Sequence, residues 1–324
     1  HRRTVAFGDR AELDQLMLID YHLQPLTHGM SIPASQDECV SSTRQPWRII
    51  DAVAGFGWIS LCTDYGYADG FVATCHGVIA RIAPQARVLD VTHAITPGDV
   101  RRGSVMLADT LPWLPPAVHV AVVDPGVGTA RRGLALVSGN AMLIGPDNGL
   151  LIPAAEALGG VVAAYELVTP AYRLPVVSAT FHGRDVFAPA AAHLAHGVPP
   201  DALGPAVDPA SLVTLPAPVC LVDDDRIRAE VLAVDHFGNV ALAAGAAELA
   251  RVGLPAGTSA TLRWSARAQQ VLVGTTFADV AQGDLILLID SAGHLAVARR
   301  AGSAAHYTGL QPGAVVELFT SPDR

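Results

Sequence analysis

The segment "VAVVDPGVGTARRG" sets Asp124 at the end of an apolar run and Arg131 seven positions later, with Gly126 and Gly128 between them. A carboxylate and a guanidinium joined by a pliable turn can hold a polar ligand between them, and the glycines let backbone N–H groups approach it closely. The string matches neither GxGxxG nor the Walker phosphate loop. Its plainer reading is a turn closed by a surface Asp–Arg pair.

Four other strings carry candidate chemistry. In "TDYGYADG", Asp64 and Asp69 flank a glycine turn where a strand passes into a helix. A carboxylate there can accept from a ribose diol, pair with an ammonium, or simply cap the helix. "TFHGRDVFAPAAAH" gathers His182, Arg184 and Asp185 at the mouth of an alanine-rich helix, with His193 and His196 further along it as surface residues. "VDHFGNV" combines Asp235, Phe237 and Asn239. An aromatic face beside an amide suits a purine, although the same string also makes a tight turn. "GPDNGLL" (145–151) reads as a structural turn.

Composition removes several mechanisms. All 21 basic residues are arginine, so neither Schiff-base chemistry nor a lysine phosphate loop is available. There is no GxSxG, HExxH or CxxC string, which disfavours a serine triad and zinc catalysis. Asp and His residues at strand ends leave a divalent-metal hydrolase as a rival. A formal charge of −9 argues against nucleic acid and suits a cationic small substrate. No stretch reaches the ~18–20 consecutive apolar residues of a membrane span, and no secretory signal is legible. The four cysteines show no framework spacing and read as reduced, mostly buried thiols of a cytoplasmic protein.

The elements that must position these residues follow an alternating plan. Residues 1–56 read as an N-terminal extension, partly disordered or not native to the fold. From Trp58, the runs "WISLCTD", "RVLDVTH" and "VHVAVVD" are apolar strands, and "DGFVATCHGVIARIAP" and "VRRGSVMLADTLPWL" are helices. Near-continuous apolar strands alternating with helices predict a mostly parallel, Rossmann-like α/β domain over 57–197. Ligands in such sheets lie at the carboxyl ends of strands, where Asp64, His93 and Asp124 fall. Residues 198–218, rich in proline, read as a linker. Short strands over 219–324 predict a β-barrel or sandwich.

In this order the strings resemble the S-adenosyl-L-methionine (SAM) hydroxide adenosyltransferase family, relatives of the enzymes that make fluorinated and chlorinated nucleosides. The resemblance runs from Trp58 to Phe319. It rests on "TDYGYAD", "VVDPGVGTARR", "GPDNGLL", "TFHGRDVFAPAAAH", "DHFGN" and "DSAGHLAVARRAG". It implies a Rossmann-like domain, a C-terminal β-barrel, and a homotrimer with SAM between the α/β domain of one subunit and the barrel of the next. By position Asp64 resembles the ribose-binding residue, and Asp69, Asp235 and Ser291 those that bind the methionine amine and carboxylate. Phe237, Asn239 and Phe277 match the adenine surround, with the Arg299 to Ala301 backbone nearby. Asp124, Arg131 and His182 match the set that positions water or hydroxide in the hydrolase branch. The halogenating relatives carry tyrosine at the Asp124 position, and Tyr-Ser or Tyr-Gly at His182-Gly183. Two departures stand out: His76 replaces a lysine usual in relatives, and the halogenases' tryptophan near Gly98 is absent.

The expectation is therefore hydrolysis of SAM to adenosine and L-methionine by in-line attack at ribose C5′. It needs no cofactor and no metal, and either Asp124 or His182 takes the proton. The alternatives are a 5′-halo-5′-deoxyadenosine synthase and a SAM- or adenosine-binding protein without turnover.

Overall fold

The computed structural model describes residues 55–320, so all but the last two residues of the expected N-terminal extension lie outside the described residues. The first half alternates as its apolar runs predict: β1 (Trp58–Thr63), α1 (Phe71–Ile82), β2 (Arg87–Thr92), α2 (Val100–Thr110) and β3 (Val118–Val122). A hairpin of β4 (Gly133–Ser138) and β5 (Ala141–Pro146) follows, then α3 (Ile152–Ala157), β6 (Ala163–Glu166), a π-helical turn Gly183–Phe187 and α4 (Ala188–Ala195).

The sheet order is β2-β1-β3-β5-β4-β6. The first four strands are parallel, as in Ile59↔Val118 and Val118↔Met142, while β4 runs antiparallel to both neighbours. Side chains alternate across the strands. Val118, Val120 and Val122 face α1 and α4, whereas Ala121 and Val123 face α2 and α3. Burial on both faces explains why β5 is apolar throughout and β3 apolar but for the buried His119, rather than alternating. Helix α1 buries Val72, Cys75, Val78 and Ile79, a helical stripe, and ends just before Pro84, which cannot continue it. Asp99 caps α2 by accepting from the Arg102 N–H at 2.9 Å.

The proline-rich stretch packs along this domain. Val207 N–H donates to Ala164 O at 2.8 Å, Leu203 and Leu212 are buried, and Arg132 donates to Ser211 O at 2.8 Å.

The second half comprises β7 (Cys220–Val222), β8 (Arg226–Val234), β9 (Val240–Gly245), α5 (Ala246–Arg251), β10 (Ser259–Trp264), β11 (Arg267–Val273), β12 (Leu285–Ile289), β13 (His294–Arg299), α6 (Ala304–Thr308) and β14 (Val315–Phe319). Pairing of β14 with β8 closes seven of these strands into a barrel, with β7 added outside on β8. Closure removes the unpaired edges that an open sheet of short strands would expose. Ile227, Val231, Leu242, Leu262, Leu287 and Val297 fill the interior. Trp264 satisfies its indole N–H on Thr308 O at 3.0 Å. The barrel meets the α/β domain at α2, where His294 Nε2 lies 2.9 Å from Asp109 Oδ1. Among the described residues no helix is long and apolar enough to cross a membrane.

Candidate active site

Asp64, His93 and Asp124 stand just beyond the carboxyl ends of β1, β2 and β3. Three features fix the loop after β3. Asn148 Nδ2 donates to Val123 O at 2.9 Å and pins the strand tip. Gly128 adopts φ +77°, and a Cβ there would overlap the Ala179 carbonyl, so only glycine lets the loop lie against the segment that leads to His182. Arg132 turns away to Asp147, with Nε to Oδ2 at 2.8 Å, which leaves its neighbour Arg131 to face Asp124. The DNG turn is thus a clamp rather than a ligand site.

Arg131 joins the set. Its Nε donates to both Asp124 oxygens at 3.1 and 3.0 Å, and its Nη2 donates to Asp124 Oδ2. The same Nη2 lies 2.7 Å from His182 Nδ1. The Arg131 and Asp124 side chains are only 11% and 5% exposed, which makes the pairing of their charges obligatory. A guanidinium has no lone pair to offer, so His182 Nδ1 must accept, and the neutral imidazole carries its proton on Nε2. Burial, and then the adjacent Arg131 charge, hold the His182 pKa below the ordinary histidine value. The imidazole therefore stays neutral at neutral pH and presents an N–H.

The π-helical turn explains how residues on one short segment surround Arg131. Its guanidinium lies over the buried Phe187 ring at 5.2 Å, while His182, five residues earlier, meets its edge. In an α-helix, positions five apart point about 140° from each other; i→i+5 winding brings them toward one face. The Ala188 N–H to Gly183 O bond is that winding. Gly183 is required beside it, since a Cβ would overlap the Tyr65 hydroxyl. Tyr65 is itself wedged between Phe71 and Phe181. Arg184 and Asp185 form a separate structural pair, in which buried Asp185 also accepts from the Ser178 N–H at 2.8 Å.

Asp64 accepts from the Gly98 N–H at 2.8 Å and ties its loop to the turn before α2, while Asp69 is exposed on the way into α1. Neither caps α1, whose N-cap is Gly70.

The barrel carries a second group. A cavity of about 530 Å³ brings together Asp235, Phe237, Asn239, Phe277 and Ser291. Its size lies within the range of small-molecule sites. Asp235 Oδ1 accepts from the Phe237 and Asn239 N–H groups at 2.9 and 2.8 Å, and Oδ2 from Asn239 Nδ2 at 2.7 Å, which fixes the DHFGN turn. The Phe237 ring projects 76% exposed. Gly238 packs on Ser303, just beyond the Arg299–Ala301 turn, where Ala301 holds φ +55°. Arg299 itself donates to Gly283 O at 2.7 Å and covers Tyr307. None of Asp64, Asp69, Asp124, Arg131 and His182 lines this cavity.

The same cavity is lined from α2 by Arg102, Met106 and Asp109, which sequence reasoning missed. Their i, i+4, i+7 spacing on one helix face was the available signal. A larger cavity of about 590 Å³ beside α5 has no titratable lining and no candidate residue. Burial pushes the thiols of Cys62 and Cys75 up to about 12, so neither is a nucleophile at neutral pH.

The family profile described as the SAM hydroxide adenosyltransferase N-terminal domain matches residues 59–204, and that of its C-terminal domain matches 229–317. A protein of Salinispora arenicola named (R)-S-adenosyl-L-methionine hydrolase is 57% identical over 261 residues, 81% of this chain and 97% of the relative. A fluorinase of an Actinoplanes species is more distant, at 30% identity over 80% of this chain and 96% of its own. The crystal structure of an uncharacterized conserved protein from Thermotoga maritima superposes with TM-score 0.77 at 32% identity, covering 81% of this chain and 99% of that one.

Proposed function

This chain belongs to the SAM hydroxide adenosyltransferase family and is an enzyme that hydrolyses SAM; from that premise we propose that Asp124, Arg131 and His182 direct a water-derived oxygen in line onto ribose C5′. The O–C5′ bond forms as C5′–S breaks, and the bond pair leaves with sulfur. The products are adenosine and neutral L-methionine, with the water proton released. A sulfonium needs no acid to leave. Hydroxide and sulfonium lose charge as they meet, so a dry pocket favours the step, and orientation can supply several of the ~7–11 kcal/mol available from ideal alignment.

The observation that carries this reading is the single guanidinium shared by Asp124 and His182. With Nδ1 occupied by Arg131, His182 acts as a donor from Nε2 to the nucleophile. Asp124 keeps open lone pairs and takes the proton. A carboxylate beside the attack line repels halide, which sets this chain apart from the halogenating branch. The reaction needs no metal or organic cofactor. Following the names of its relatives, the substrate is the (R) epimer at sulfur.

Substrate recognition takes both halves of the molecule. Asp64 holds the ribose diol, Phe237, Asn239 and Phe277 surround adenine with the Arg299–Ala301 backbone beside them, and Asp69, Asp235 and Ser291 take the methionine end. Each site is completed by a neighbouring subunit in a homotrimer, as the family resemblance implies; the exposure of Phe237 and the absence of the Asp124 set from its cavity support this reading. The unpaired thiols Cys62, Cys75 and Cys220 fit a cytoplasmic enzyme.

The test is incubation with each SAM epimer in ¹⁸O-water, with and without chloride, read by mass spectrometry. Adenosine labelled at O5′, formed from the (R) epimer, is expected. Chlorinated nucleoside, or unlabelled adenosine, would overturn the assignment. Mixing Arg131→Ala with Phe237→Ala protein tests the shared site, since activity returns only if the two halves come from different subunits.

A further inference from the structure

We propose that His76, Asp90 and His93 form a binding site for a divalent transition-metal ion of the zinc class, braced against the loop that carries Asp64 and Asp69. The three residues come from the middle of α1, from β2 and from the residue just after β2. Asp90 Oδ1 lies 2.8 Å from His76 Nε2 and 3.1 Å from His93 Nε2, and all three donor atoms fall within 4.8 Å of one another. Zinc bonds of about 2.0–2.1 Å in a tetrahedron need ligand–ligand edges of roughly 3.3 Å, so the two edges from Asp90 have only to widen by a few tenths of an ångström, while the His76–His93 edge lies within 4.8 Å.

The second observation is His93 itself. Its side chain is fully buried, and Nε2 makes no geometrically defined hydrogen bond, with Asp90 Oδ1 3.1 Å away. Buried unpaired polar atoms are rare enough to call for an explanation, and an ion supplies one. Behind the ring, Nδ1 lies 2.7 Å from Thr63 Oγ1. With the proton on Nδ1 and donated to Thr63, this is the outer-shell contact which fixes the tautomer of a ligating histidine and aims its Nε2 lone pair outward. His76 and Asp90 remain partly exposed, which provides an entry path and room for a completing water.

Two imidazoles and one carboxylate suit Zn²⁺ or Co²⁺; Ca²⁺ and Mg²⁺ prefer all-oxygen shells. The ion would join α1 to β2 beneath the substrate loop, since the Gly66 N–H donates to His93 O at 2.8 Å and the Tyr67 ring packs edge-on against the imidazole at 5.2 Å. The role is mechanical, and the displacement at C5′ does not pass through it.

Chelator-stripped protein titrated with Zn²⁺ by calorimetry tests this, beside His76→Lys and Thr63→Val. The lysine places a donor next to Asp90, so that carboxylate keeps a partner while a ligand is lost. One ion per chain is expected in the parent. Affinity should fall about 10- to 100-fold in Thr63→Val, the usual cost of an outer-shell contact, and by at least about 100-fold in His76→Lys. Zn²⁺ should raise the Tm of the parent, raise that of Thr63→Val less at the same concentration, and leave that of His76→Lys unchanged, and Co²⁺ should give a visible spectrum of low coordination number that His76→Lys lacks. Equal Zn²⁺ affinity in parent and His76→Lys, or no stoichiometric binding in the parent, overturns the site. All three readouts are independent of SAM turnover, so this result and that of the ¹⁸O experiment stand apart.

Discussion

Replacing Arg131 by lysine separates charge from geometry at the centre of the proposed mechanism. The guanidinium meets the Asp124 carboxylate along its Nε–Nη2 edge and passes a further bond from Nη2 to His182. An ammonium is a point donor on a flexible stem and cannot reproduce this fork. It can still neutralise Asp124, so the buried carboxylate is not orphaned. Arg131→Met, in contrast, would leave that charge unpaired and cost about 3–5 kcal/mol of stability. The lysine variant should therefore keep its Tm within a few degrees while losing the charge-assisted bond to His182. Such a bond contributes about 1.5–3 kcal/mol, which corresponds to a fall in kcat of roughly 10- to 150-fold. Adenosine release at saturating SAM, followed by liquid chromatography, measures it. KM should be unchanged, because Arg131 faces the nucleophile and not the bound ligand. Adding His182→Ala should cost little more in the Arg131→Lys background than the bond already lost. A lysine variant with kcat within twofold of the parent, or one whose whole deficit lies in KM, would refute the idea that the shared guanidinium organises the attack.

The remaining expectations follow from burial and exposure. Neutral His182 is needed and its folded pKa is lowered by burial, so kcat should hold steady as pH falls and drop only below about 6.5, the ordinary histidine value; an acid limb above that value would contradict its neutral role. Phe237→Ala removes an aromatic face, and base stacking is worth about 1–3 kcal/mol, so KM for SAM should rise roughly 5- to 150-fold at near-constant kcat; an unchanged KM would remove Phe237 from the adenine site. His119 is buried against Ser60 Oγ at 2.8 Å, and burial pushes its pKa down to about 4. The unfolded chain takes up that proton first, so unfolding free energy should decline by about 3 kcal/mol as pH falls from about 6.5 to about 4. Urea denaturation across that window checks it, with a Ser60→Ala/His119→Phe variant flattening the slope.

Much of the scaffold was legible from local pattern. Apolar runs stopping at Asp64, His93 and Asp124 marked the strand tips, because a parallel strand buried on both faces reads as an unbroken apolar string. Helical spacing found α1 and its stop at Pro84. The barrel's closure was not legible, since β8 and β14 pair across more than eighty residues and neither string names its partner. The convergence of His182 on Arg131, 51 residues away, is equally non-local, and it was reached through the family resemblance rather than through spacing. The resemblance assigned Phe237, Asn239 and Phe277 to adenine and Asp69, Asp235 and Ser291 to the methionine end, and all of these but Asp69 line one cavity. It gave no hint that Asp235 would be bonded within its own turn, because local side-chain-to-backbone bonds depend on backbone shape that the residue types only permit. The π-helical turn escaped for the same reason: "HGRDVF" is an ordinary helical string until Arg131 is placed against it.

That turn gives the site an unusual sensitivity to length. Because Gly183–Phe187 is wound one residue wider than an α-helix, the direction of the His182 imidazole is stored in the count of residues ahead of α4. Deleting one residue there would let the segment relax to ordinary winding and swing His182 by about 100° relative to Phe187, with every side chain of the set still encoded. Divergence of such an enzyme into a silent binding protein would then show as a one-codon gap in an alignment, at a place where every individual residue still looks intact.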